Sequence, residues 1–158
     1  MLTLSTSGEL FAQEKLEDQP LYVQLRVAKK AESDLLLEAK LCSLKAASIY
    51  AEMTDEPAST ISKAAIQRCR DQWDAYIQAS CNSLALDLQV KFGERGEELA
   101  QQRCEAGDMS DLAPAREMID NRIVDWRAGA KAIGPNYYAS ERKRIDDAMQ
   151  THLSTRGY

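Results

Sequence analysis

The chain has 158 residues, a formal charge of −5 and 28% charged residues, with both signs interspersed along its length. That length fits one domain with a real core. The spread charge leaves no basic stripe for a phosphate backbone, and no apolar run approaches transmembrane length, so neither nucleic acid binding nor membrane insertion is expected.

Residues 1–20 mix Ser, Thr, Gly and Pro around Leu10, Phe11 and Leu16, and are read as a flexible arm. Met1–Glu14 lacks a basic region followed by an apolar core, so it is not a signal peptide; if the protein is exported, its leader is expected to be absent from this chain. A long helical pattern opens at Leu21. Leu21, Ala28, Leu35, Cys42 and Ile49 recur every seven residues, and Leu25, Ala39, Ala46 and Met53 give the second line, interrupted by Glu32. The helix should end near Met53 or Thr54. Pro57 suits the first turn of the next, with Asp55 or Glu56 near its cap.

That second helix carries Ile61, Ala65, Cys69, Trp73, Tyr76 or Ile77, Leu84 and Leu88, with Phe92 covering its end. Gly93 and Gly96 permit a tight turn, and a shorter helix follows over Glu94–Glu105 with Leu99 and Cys104. Gly107-Asp108-Met109-Ser110 breaks the chain. Ser110 or Asp111 can cap the next helix, and Pro114 fits its first turn. Leu112, Ile119, Trp126 and Ile133 form another seven-residue line, supported by Ile123 and Ala130. Gly134-Pro135-Asn136 stops it. Ser140 then caps a last helix with Ile145, Ala148 and Met149 inside. The expectation is an all-α protein: an arm over 1–20, one domain over 21–153 built as an antiparallel bundle of four to five helices, and a tail over 154–158.

Residues equidistant from a helical hairpin's turn face each other. Cys42 and Cys69 flank the break Thr54-Asp55-Glu56-Pro57, and Cys81 and Cys104 flank Gly93-Glu94-Arg95-Gly96. Both pairs are therefore placed to form disulfides, which belong to oxidising compartments. Cys69 and Cys81, twelve residues apart on one predicted helix, would point about 120° apart. Four reduced cysteines in a cytosolic helical core are the alternative, against which the double symmetry argues.

Chemistry-bearing motifs are thin. His152, the single histidine, reads as an exposed helix-end residue, without a nucleophile motif to serve. The cysteine spacings of 27, 12 and 23 lack the close pairs of zinc sites, so no metal is expected. Glu97-Glu98 and Asp146-Asp147 are adjacent, diverge around a helix and read as solvated surface. Gly93-Glu94-Arg95-Gly96 has no preceding strand and no P-loop lysine, and no cofactor motif is present. Tyr137 and Tyr138, in a predicted loop, offer amphipathic contact area to a partner, or lid the end of the bundle, the reading the sequence favours. Trp73 and Trp126 sit on the stripes as core residues, each indole N–H needing a partner.

The segment from Arg68 to Cys81, with Trp73, an aromatic Tyr76 three positions on and Cys81 eight positions on, resembles the signature helix of LprI-type lysozyme inhibitors. Cys104 is consistent with that family's cysteine pattern. The stretch Cys42–Tyr50 keeps the tyrosine of the family's preceding element without its Asp and Leu-Asn, and Ile77 stands where the family has arginine. The resemblance implies a small exported helical protein, some of whose relatives inhibit lysozyme.

The leading functional expectation is thus a non-catalytic periplasmic or secreted protein-binding module, with a cell-wall hydrolase such as lysozyme as a candidate target. Its contact residues would be Tyr137 and Tyr138, with the loop acids Asp108 and Asp111 facing a basic partner. A structural or assembly subunit of a helical homo-oligomer is the alternative. An enzyme with a carboxylate and tyrosine site comes third, and would show a deep polar pocket.

Overall fold

A computed structural model describes residues 19–107 and 111–156. The described residues form six helices and no strand: α1 (Pro20–Met53), α2 (Ala58–Arg68), α3 (Arg70–Phe92), α4 (Glu94–Glu105), α5 (Ala113–Ile133) and α6 (Tyr137–Thr155). The expected arm over 1–20 lies almost wholly outside the described residues. Of the expected tail, Ser154 and Thr155 belong to α6.

The sixth helix arises at Cys69. The stretch read as one helix over 57–92 breaks there into α2 and α3. Neither Gly nor Pro marks the spot. The backbone of Cys69 leaves helical values (φ −104°, ψ 29°), and its amide is shared between the carbonyls of Ala65 and Ile66. Cys69 and Cys81 therefore do not share one uninterrupted helix.

Contacts divide the chain into two units, the first holding 19–32 and 79–107, the second 33–78 and 111–156 of the described residues. In the first unit, Leu25, Ala28, Leu88 and Ala100 are buried with Ser80 and Ser83. Ser80 Oγ donates to Glu32 Oε1 at 2.7 Å, which accounts for the acid that interrupts the α1 stripe. Gly93, at φ +62°, opens α4. Gly96 lets α4 approach α3 so closely that a Cβ there would collide with the Leu88 carbonyl. Cys81 and Cys104 form this unit's disulfide, Cα atoms 5.9 Å apart. Asp87 accepts from Lys91 (2.6 Å) and Lys29 (3.4 Å), and these bonds, the Lys91 one foremost, hold its carboxyl below the usual range.

The second unit has the larger core: Ile61, Trp73, Ile119, Ile123, Trp126 and Ile145, filled in by alanines of α1 and α2. Here α5 packs on α2 and α6. Both indoles find partners, as their burial requires. Trp73 Nε1 donates to Ser43 Oγ at 2.8 Å, and Trp126 Nε1 to Glu141 Oε2 at 3.3 Å. Cys42 and Cys69 form the second disulfide, Cα atoms 6.0 Å apart. A ladder of charges joins α1 to α6: Glu52 with Arg142, Lys45 with Asp146, and both Glu38 and Asp34 with Arg156. The α1 numbers fall as the α6 numbers rise, so these two helices run antiparallel. His152 is buried beneath this ladder, contrary to the exposed position expected of a residue so near the chain end. The helix continues to Thr155, and Glu38 lies 3.3 Å from Nε2.

Two ends of the predicted stripes turn outward. Ile49, Met53 and Ile133 are exposed, while Ala47, Ser48 and Ala51 are buried. Met53 and Ile133 are the last residues of α1 and α5.

Candidate functional site

The loops 54–57 and 134–136 meet α5 and the start of α6 at one end of the second unit. α1 ends as the Thr54 amide bonds to Tyr50 O, and Thr54 Oγ1 turns back to accept from the Glu56 amide at 2.8 Å. Pro57 stands at the cap position of α2, its carbonyl accepting from Thr60 and Ile61. This loop is then pinned from α5. Arg127 Nη2 donates to the carbonyls of Thr54 (3.0 Å) and Glu56 (2.7 Å). A guanidinium on two carbonyls fixes a loop whose own side chains remain free to point outward.

The second loop follows Gly134, whose φ of +123° favours glycine. The chain re-enters helix at Tyr137, three residues before the predicted cap at Ser140. Tyr137 and Tyr138 are thus helical. Tyr138 is 6% exposed and belongs to the core. Burial raises the pKa of its hydroxyl, opposed by Arg127 and reinforced by Glu52 and Asp55, so all three charges surround the ring. The Tyr137 ring lies on Gly129 of α5, where a Cβ would collide with it. The two tyrosines therefore close the end of the unit, the lid the sequence favoured.

The expected contact residues that the structure describes do not converge. Asp111 lies two residues before α5, where its Oδ1 accepts from the Ala113 amide at 2.9 Å in a local turn. The tyrosines follow the other end of α5, whose 21 residues span about 31 Å. Asp108 lies outside the described residues.

Outside the tyrosines stand exposed apolar residues, one of them among acids. Met53 and Ile133 are each 76% exposed, the most exposed large apolar side chains described. Exposed acids Glu52, Asp55 and Glu56 surround the first of them along the chain. Beside Ile133 a shallow cleft of about 520 Å³ is lined by Pro135, Asn136, Tyr137 and Arg144. Sequence reading assigned Met53 and Ile133 to the interior and Asp55 and Glu56 to capping. Their place at the very ends of α1 and α5 was the available signal.

Elsewhere, no group of three or more His, Cys, Asp or Glu among the described residues could hold a metal ion. No described helix is long and apolar enough to cross a membrane. The residues of the resembling segment have structural partners: Trp73 is buried on Ser43, Tyr76 meets its ring edge-on at 6.0 Å, and Cys81 joins Cys104. No family model, curated protein or solved structure matches the chain.

Proposed function

We propose that this chain is a non-catalytic, disulfide-reinforced protein-binding module of the periplasm or extracellular space. It acts by capping a basic partner, with a cell-wall hydrolase such as lysozyme as the target. One observation carries the reading: Met53 stands exposed among Glu52, Asp55 and Glu56, beside a loop held by Arg127, and Ile133 stands exposed where α5 ends. Apolar anchors beside acids suit a cationic surface, and loops already fixed lose little freedom on binding. The two disulfides support an oxidising compartment. The likeness of Trp73, Tyr76 and Cys81 to the inhibitor signature supports the target class. The antiparallel order of α1 and α6 supports the bundle architecture within the second unit.

Mixing the protein with lysozyme at low salt should give a one-to-one complex by light scattering and suppress lysis of bacterial cell walls. Ile133→Asp or Met53→Asp should weaken that complex by about tenfold or more, and added salt should weaken it further. Lysozyme that elutes and acts unchanged in the presence of excess protein would contradict the reading.

A second reading, an assembly subunit of a helical oligomer, draws on Val23 and Val27, exposed one turn apart on α1 in the first unit. Sedimentation at rising concentration separates the two: a mass that grows favours assembly, a constant one favours the binding module.

A further inference from the structure

Beside the Cys42–Cys69 disulfide, the second unit carries a groove of about 410 Å³. Leu41, Ala46 and Ile145 are buried in its floor. Ile49, Met149 and Leu153 form an apolar rim, two of them exposed. The walls are tied by the disulfide and the α1–α6 charge ladder, so the groove is preformed.

Its polar groups are unevenly satisfied. Asp146 is held by Lys45, and Glu38 by Arg156. Arg68, exposed where α2 ends, has no carboxylate partner among the described residues, and Gln72 lines the same wall. The groove therefore pairs an apolar bed with one cation left over, which suits a ligand with an apolar body and an anionic head. A helix fits poorly. Lys45 of α1 and Asp146 of α6 meet at 2.6 Å across the groove, and a helix about 10 Å wide could not lie between those walls without parting them. An alkyl chain is thin enough to follow the floor.

We propose that this groove binds a free long-chain carboxylic acid, its head on Arg68 and its tail over Leu41, Ala46 and Ile145 toward Met149 and Leu153. Neither Met53 nor Ile133 lines the groove, and it can fill whether or not a protein docks on them.

The test is a titration of the full chain with dodecanoate below its micelle-forming concentration, followed by amide NMR shifts. Saturable one-to-one binding should move amides over 41–49, 68–72 and 145–153. Affinity should rise about fourfold per methylene from octanoate to dodecanoate, as tail burial requires. Dodecyltrimethylammonium should bind about tenfold more weakly, and Arg68→Gln should remove that preference without unfolding the chain. Leu153→Asp, at an exposed rim position, should weaken both ligands. Absence of saturable shifts, equal affinity for the two head groups, or shifts mapping elsewhere would overturn the proposal. So would a response to phosphatidylglycerol vesicles alone, which would mean a membrane surface, or concentration-dependent shifts at these residues without ligand, which would mean a second copy.

Discussion

The first unit buries Leu25, Ala28, Leu88 and Ala100, with Ser80 and Ser83 filling the remainder, and seats α4 through a glycine. The second buries Trp73, Trp126 and four isoleucines, gives each indole N–H an acceptor, and strings ion pairs along α1 and α6. Each has one disulfide. The same cross-link thus does different work. In the second unit it fixes the wall of a groove around a core already large enough to hold helices together. In the first it closes a small core of mostly short side chains, where the entropy removed from the unfolded chain is a larger share of what holds it.

Cutting into the larger core should have the greatest effect. Trp126→Ala should cost about 3–5 kcal/mol in urea unfolding, since it empties a nearly fully buried site. Removing either disulfide should cost about 3–4 kcal/mol for loops of 27 and 23 residues, but with different consequences. Hydrogen exchange should show α4 losing its protection in the Cys81→Ser, Cys104→Ser double variant. The amides of α5 should stay protected in the Cys42→Ser, Cys69→Ser variant. Equal loss in both would erase the contrast between the units.

Glycines sharpen the comparison on a finer scale. At Gly96 a new Cβ meets the Leu88 backbone, which cannot step aside, so Gly96→Ala should cost about 1–3 kcal/mol. At Gly129 it meets the Tyr137 ring, a side chain that can swing away, so Gly129→Ala should cost less. Thermal unfolding of the pair checks the order.

The smallest effect is electrostatic and confined to the first unit. Asp87 has its pKa lowered from 3.8 by Lys91 and Lys29. A lowered carboxyl pKa adds stability at pH above the unfolded value, and that stability is lost as pH falls through the folded value. Asp87→Asn should therefore destabilise at neutral pH by about 0.5 kcal/mol, with the difference fading below pH 3.8. A difference that persists in acid would mean the side chain acts through packing.

Much of this was legible because local chemistry decided it. Gly93 and Pro114 begin helices where expected, and the symmetry of the cysteines about two turns gave both pairings. The indoles had to find partners, though Ser43 and Glu141 could not be named in advance, being 30 and 15 residues away. The break at Cys69 has no breaker residue to announce it. Met53 turns outward at the last residue of α1, and a seven-residue pattern does not show where the neighbouring helices stop covering it. His152 is buried because α6 continues beneath the charge ladder to Thr155, a fact of tertiary packing. For the candidate surface, the tyrosines drew attention as the visible chemistry of the loop, yet their role is to close the unit, and Met53 and Ile133 are what that closure leaves outside.

Peptide mapping of natively purified protein under non-reducing conditions, with thiols blocked at lysis, tests the account most directly. Two disulfide-closed units in an oxidising compartment predict Cys42 linked to Cys69, Cys81 linked to Cys104, and no alkylated cysteine. Four free thiols, or crossed pairs such as Cys69 with Cys81, would contradict it.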